Sequence, residues 1–270
     1  MIGWLKNLND ASRLISINEA SRISGISAKA IEKDWWVTLS LKLVFNTPYA
    51  NHFAFKGGTS LSKGWQLIDR FSEDIDISLS SEAVGIAYAE KPSKTFVERL
   101  RRAGCSFTSN ELMEALKAEF RNCQVPENLY SIEAEPVRAD MPDTDPQTLY
   151  VNFVSLFDPN PYLPDRVKIE FSVRSLKEPS IKRSMVSLLV THFPNENYSE
   201  ENCAVLTIQP QQTLIEKMLL LHEEYNRDER AKMRTERMSR HYYDLFQLSS
   251  QDFSLKTLKD NDFIEEIIEH

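Results

Sequence analysis

Glycine is scarce in this chain, with seven in 270 residues, yet Gly57, Gly58 and Gly64 fall within eight positions. A Gly-Gly pair adopts backbone conformations closed to other residues and lets the chain pass close to another group. The pair follows the short apolar run Phe53-Ala54-Phe55, which reads as a strand ending in a turn. The segment Ser60–Ile68 after it, with early hydroxyls, reads as a helix. Asp74 to Ser80 then alternates in polarity, as a half-buried strand does. Strand, glycine turn, helix and strand are therefore predicted within residues 53–80.

The flanks are patterned differently. Upstream, Ile31, Trp35, Leu39 and Leu43 recur every four residues, with Ser27 as N-cap and Gly25 breaking a short helix from a long one. A helix-turn-helix DNA reader is disfavoured there, because Lys29, Lys33 and Lys42 are mixed with Glu32 and Asp34. Residues 81–135 are predicted to be mostly helical, with a basic stretch at Arg99–Gly104, and 133–147 to be a Pro- and Asp-rich loop. Thr148–Phe157 and Arg166–Arg174 read as strands joined through three prolines, and shorter strands are expected near Ser184–Phe193 and Cys203–Gln209. From Thr213 onward the pattern is helical again. The expected fold is α+β: a small mixed sheet with flanking N-terminal helices and a C-terminal helical region. Its boundaries are a core over 1–210 and helices over 211–270 that close a cleft.

Composition narrows the function classes. With 32 Lys and Arg against 40 Asp and Glu, the net charge of −8 argues against non-specific coating of nucleic acid. Cys105, Cys123 and Cys203 lack the spacing of a disulfide framework or zinc site, which fits a reducing cytoplasm. No apolar run reaches the ~18 residues of a membrane span, and the N-terminus turns polar too early for a secretory signal. His222 opens a His-Glu-Glu stretch without a second histidine, which excludes a zinc protease of that type.

The chemistry centres on residues 57–76. On a strand, residues i and i+2 share a face, so Ser72, Asp74, Asp76 and Ser78 are expected to point one way and Ile75, Ile77 and Leu79 into the core. Two carboxylates about 7 Å apart on one face repel unless a cation lies between them, and Mg²⁺ prefers such hard oxygen ligands. A Gly-Gly turn entering a helix offers free N–H groups to a triphosphate. Asp-x-Asp alone is equally a solvated strand face; its coupling to Gly57-Gly58-Thr59 favours a metal–nucleotide site. Glu170 lies on the polar face of the alternating stretch Val167–Val173 and completes the acid set if that strand neighbours Asp74–Ser80. Otherwise it pairs with Lys168 or Arg174. Lys63, one turn into the expected helix, is within reach of a phosphate.

The stretch Phe55–Leu79 resembles motif I of the polymerase-β-type nucleotidyltransferases, and in particular the AbiEii-like branch, the toxin half of bacterial abortive-infection toxin–antitoxin pairs. Ile31–Phe45 is similar to that branch's N-terminal helix. Thr213–Glu224 and Ser239–Leu248 are similar to its two C-terminal helical motifs, a Lys after Glu and an Asp before Leu. The resemblance implies an Mg²⁺-dependent enzyme, with two ions, that moves an NMP from an NTP to RNA, in some members the 3′ end of tRNA. By position it makes Asp74 and Asp76 metal ligands and puts Gly57, Gly58, Thr59 and Ser72 around the nucleotide. Lys217 becomes a phosphate contact and Asp244 a further active-site acid. It also implies an antitoxin partner, a DNA-binding repressor, and a role in phage defence.

The residues themselves leave alternatives open. Lys217 also fits a surface pair with Glu216, and Asp244, in an apolar-aromatic stretch, an ion pair with Arg240 four residues earlier. The basic run Arg227, Arg230, Lys232, Arg234, Arg237 and Arg240 reads either as an RNA-facing helix or as a salt-bridge-laced one. Two rival functions remain: nucleotide transfer to a protein hydroxyl, and a non-catalytic nucleotide-binding module.

Overall fold

In a computed structural model of the chain, the structure describes residues 2–137, 140–174, 178–227 and 238–269. Helices α1 (Gly3–Asn7), α2 (Asp10–Ser24) and α3 (Ala28–Val44) come first. Asn9 caps α2 by accepting from the Ser12 N–H at 2.9 Å, and Gly25 ends it in the left-handed region. Ile31, Trp35, Leu39 and Leu43 of α3 are all buried, as their spacing predicts. The α2–α3 pair is thus a packing unit.

Among the described residues the sheet is mixed and has seven strands: β1 (Phe53–Lys56), β2 (Ile75–Ser80), β3 (Tyr130–Ala134), β4 (Gln147–Phe153), β5 (Arg166–Arg174), β6 (Ser180–Met185) and β7 (Cys203–Ile208). They run in the order β3-β4-β5-β2-β1-β7-β6. At its centre β2 is antiparallel to β1 and parallel to β5. The other helices are α4 (Gly57–Thr59), α5 (Lys94–Phe107), α6 (Met113–Asn122), α7 (Leu188–His192), α8 (Pro210–Tyr225), α9 (Ser239–Ser249), α10 (Ser254–Thr257) and α11 (Asn261–Glu269). This is the expected α+β class. No helix among the described residues is long and apolar enough to cross a membrane.

Local structure departs from the sequence expectation at three places. The helix after Gly57 is one turn continued by a π turn over Ser60–Gly64, and it stops where Trp65 donates its indole N–H to the Ile208 carbonyl. Residues 130–134, within a stretch expected to be helix and then loop, form β3 on the sheet edge. Residues 188–192, expected as strand, form α7, which Ser187 caps by accepting from the Val190 N–H.

The sheet's two faces are chemically distinct. Phe53 and Phe55, Ile75, Ile77 and Leu79, and the odd-numbered residues Val167 to Val173 bury one face in the main core with α3. Each such side chain is worth about 1.5–3 kcal/mol of burial. The alternate residues Asp76, Lys168 and Glu170 are left on the opposite face, where the polar site forms. A smaller cluster, Leu61, Ile68, Leu214 and Leu248, seats α8 and α9 against the segment after Gly57.

The charges of α3 are not a solvated face. Glu32, Lys33 and Asp34 are all buried, and each reaches a different segment. Glu32 accepts from the Ser155 hydroxyl and from the Leu156 N–H at 2.9 Å. Burial pushes its carboxyl pKa up, with those hydrogen bonds acting against the shift. Lys33 pairs with Glu73 at 2.6 Å and donates to the Pro164 carbonyl at 3.0 Å. Asp34 pairs with Lys63 at 2.6 Å and accepts from the Leu188 N–H at 2.6 Å. Buried charges persist only when paired and hydrogen-bonded, so α3 fixes both the residue before Asp74 and the turn after Gly57.

Glu200 is the uncompensated counterpart. It accepts from the Trp35 indole N–H at 3.2 Å, and burial pushes its pKa up from 4.5 to about 7. The folded chain therefore binds this proton more tightly than the unfolded chain. Stability from this site falls as pH rises from about 4.5 through 7. Glu200→Gln keeps an acceptor for Trp35 and removes the charge. Thermal melts are expected to show the variant more stable than wild type at pH 8 and the two converging at pH 5. A gap that is equal at both pH values would contradict this assignment.

Candidate active site

The polar face of the sheet forms the floor of a cavity of about 260 Å³ whose walls come from both ends of the chain. From β1 and α4 come Gly57 and Gly58, and from the following segment Arg70, Ser72 and Asp74. Asp76 and Glu170 project from β2 and β5, and Lys217, Arg240 and His241 from α8 and α9.

Each glycine has its own reason. Gly57 has φ of +76°, and a Cβ there would lie 2.0 Å from Asp76 Oδ2, so it makes room for that carboxylate as well as for the turn. A Cβ on Gly58 would lie 2.6 Å from Arg70 Nη2. Thr59 is buried; its hydroxyl donates to the Asp74 carbonyl and lies 2.8 Å from Ser72 Oγ. Thr59 and Ser72 therefore hold the backbone that presents Asp74.

The acids converge through the sheet register. In the parallel β2–β5 pair Asp76 lies directly beside Glu170, and in the β1–β2 pair it lies beside Lys56. Burial, then the charges of Glu170 and Asp74, push the Asp76 pKa up to about 7. Glu170 also pairs with Lys168 at 2.9 Å, so it neighbours Asp76 and makes the ion pair at the same time. Asp74 Oδ2 is 3.4 Å from Arg240 Nη1.

This donor set fits a divalent cation. It offers hard oxygens from three side chains, and the mutual repulsion that raises the Asp76 pKa is the excess negative charge such an ion neutralises. Among the described residues no three His, Cys, Asp or Glu side chains form a ready-made cage. Mg²⁺ commonly takes one or two carboxylates and completes its shell with water and substrate phosphate.

Asp244 is fully buried and is the hinge of the cationic wall. Arg70 grips it with two bonds of 2.7 Å, and Lys217 Nζ lies 2.9 Å from Oδ2. Burial raises its carboxyl pKa, but Arg70 and Lys217 more than offset this and hold it below the usual value. His241 Nδ1 lies 3.4 Å from Lys217 Nζ. Burial and the charges of Lys217 and Arg240 push the His241 pKa down to about 4, so the ring is neutral near pH 7.

Several sequence expectations change here. Asp244 pairs with Arg70 rather than Arg240, which turns to Asp74 instead. Glu216 pairs with Lys56 at 2.8 Å, leaving Lys217 to face Asp244. Lys63 is not brought to this cavity; it sits in the π turn over Ser60–Gly64, and its ammonium is held by Asp34 and donates to the Val186 carbonyl. Most of the basic run, residues 228–237, lies outside the described residues; Arg227 pairs with Glu224. Arg70, Arg240 and His241 are site residues whose part here no spacing announced. For Arg70 the sequence signal is its place within the motif I stretch, Phe55–Leu79.

Removing one partner of a buried ion pair costs about 3–5 kcal/mol. Asp244→Asn is therefore expected to lower the urea midpoint by an amount equivalent to about 3 kcal/mol or more. Phe246→Ala, at an exposed position on the same helix, is expected to change it by less than about 0.5 kcal/mol. Equal effects of the two substitutions would refute the role given to Asp244.

Comparison with known proteins bears on this arrangement directly. The family described as nucleotidyl transferase AbiEii toxin, type IV toxin–antitoxin system, matches residues 42–270. Among solved structures the chain is similar to MenT4, a nucleotidyltransferase toxin from Mycobacterium tuberculosis H37Rv. The two share 14% identity and a TM-score of 0.42 over 97% of this chain and 98% of that one. No curated protein matches the sequence. The family match takes in the glycine turn, all three acids, Lys217 and Asp244. The chain belongs to the AbiEii family of nucleotidyl transferase toxins of type IV toxin–antitoxin systems, and is an enzyme that transfers nucleotides.

Proposed function

We propose that this nucleotidyl transferase toxin moves an NMP from an NTP to an RNA acceptor, in the manner of members that modify the 3′ end of tRNA. We infer that it acts in the cytoplasm, depends on Mg²⁺ and is held in check by a cognate antitoxin that is itself a DNA-binding repressor. One observation carries the reading. A glycine turn, three carboxylates and a Lys217–Asp244 pair, drawn from both ends of the chain, line one cleft.

In this reading the Gly57–Gly58 backbone accepts the triphosphate, with α8 and α9 of the C-terminal region, 211–270, closing the cleft over it. Lys217 and Arg240 face the phosphate charge. Asp244 and the neutral His241 ring hold the Lys217 ammonium in place, so little reorganisation is needed as charge shifts in the transition state. Asp74, Asp76 and Glu170 would hold the metal, up to two ions, which when bound neutralises phosphate charge and makes the acceptor hydroxyl more acidic. The acceptor hydroxyl gives up its proton to water as its oxygen bonds to the α-phosphorus, the bond to the bridging oxygen breaks and pyrophosphate leaves.

The test incubates purified protein with Mg²⁺, each α-labelled NTP in turn and total cellular RNA. Label is expected in a discrete RNA band. It is expected to fall at least about 100-fold in Asp74→Ala and Asp76→Ala, the scale of losing one charge-stabilising group, and to vanish with a chelator. Gly57→Ala is expected to reduce it similarly, because the new Cβ displaces the Asp76 carboxylate. Wild-type turnover in either aspartate variant would sink the assignment. Label on a protein band instead of RNA would replace the acceptor, and no label from folded wild type would favour a non-catalytic module.

A further inference from the structure

A second cleft, of about 480 Å³, is also bordered by Asp74. Asp74 lines both this cleft and the cavity described above. Its other walls are Glu73 with its partner Lys33, Lys168, which pairs with Glu170, Arg166, and the loop carrying Pro161, Tyr162 and Pro164. That loop is anchored firmly. Lys29 pairs with Asp165 at 2.6 Å and donates to the Asp158 carbonyl, Lys33 donates to the Pro164 carbonyl, and Asn160 Oδ1 accepts from the Tyr162 N–H at 2.9 Å. Yet the loop leaves the Tyr162 ring 88% exposed. Close by, the Arg166 guanidinium stacks 4.4 Å from the Tyr150 ring centroid and has no ion-pair partner among the described residues.

An aromatic ring held in solvent by a proline-rich turn, beside an unneutralised guanidinium, is a combination that single-stranded nucleic acid uses. Every base has a π face to stack, and the backbone needs cations. In-line transfer also needs the acceptor on the side of the reacting phosphorus away from pyrophosphate. A cleft that meets the first cavity at Asp74 provides such a side. We propose that this cleft is the acceptor groove and takes a single-stranded RNA 3′ end, with a base stacked on Tyr162 and a phosphate at Arg166. This rests on the RNA-acceptor reading above and adds the residues that select the acceptor.

The test measures binding of a short fluorescent single-stranded RNA to the full chain, together with KM for RNA and for NTP. Tyr162→Ala is expected to weaken RNA binding roughly 5- to 100-fold, the loss of one base–aromatic stack, and to raise KM for RNA while KM for NTP holds. Tyr162→Phe is expected to retain binding. Arg166→Ala is expected to reduce the slope of log affinity against log salt by about 0.7, one phosphate contact on a single strand. Unchanged melting temperatures in all three variants check that they fold. If wild type labels RNA but Tyr162→Ala binds and turns over RNA normally, the groove assignment is overturned and the RNA reading stands. If wild type binds no RNA and labels protein, both are overturned.

Discussion

A carboxylate with no solvent exposure has to be paired, and Asp244 meets that requirement with two cations from distant parts of the chain. Arg70 comes from the segment that leads into β2, Lys217 from the middle of α8, and Asp244 from α9. The bidentate grip of Arg70 fixes direction as well as distance. The two C-terminal helices are thereby tied to the strand that carries the acids, and the cavity has a floor and a wall of opposite charge. Gly58 belongs to the same arrangement, since any larger residue there would occupy the space of the Arg70 guanidinium.

The opposite side of the site depends on the same rule applied to α3. Glu32, Lys33 and Asp34 are consecutive, buried and satisfied by three different segments. Lys33 holds Glu73, the neighbour of Asp74, and Asp34 holds Lys63, just past the glycine turn. The residue before Asp74 and the turn are therefore positioned by α3. The Asp76 carboxylate is the exception: burial and two neighbouring carboxylates raise its proton affinity more than Lys56 and Lys217 lower it. Such an excess of negative charge is what a divalent cation would neutralise.

The comparison of sequence with structure turns on range. The glycine turn, the Asp-x-Asp strand and the buried stripe of α3 were legible because each is a local pattern of known period or local steric need. The adjacency of Glu170 and Asp76 is a matter of strand order, and sequence periodicity carries no strand order. Local pairing rules misplaced the partners of Asp244 and Glu216, because the near-sequence candidates Arg240 and Lys217 lost to Arg70 and Lys56, 174 and 160 positions away. Lys63 went elsewhere: it lies in a π turn rather than an α-helical one, and Asp34 of α3 takes its ammonium.

The sequence by itself determined the α+β class, the coupling of a glycine turn to Asp74 and Asp76 within residues 57–76 and the likeness to the AbiEii nucleotidyltransferases. Those follow from residue type and spacing, which are local and survive any arrangement of the rest. Only the tertiary structure decided which acids share a cavity, that Arg70, Arg240 and His241 join it, and that Tyr162 stands exposed beside Asp74. Electrostatic pairing and burial act through space, so they are fixed when distant segments meet and not before.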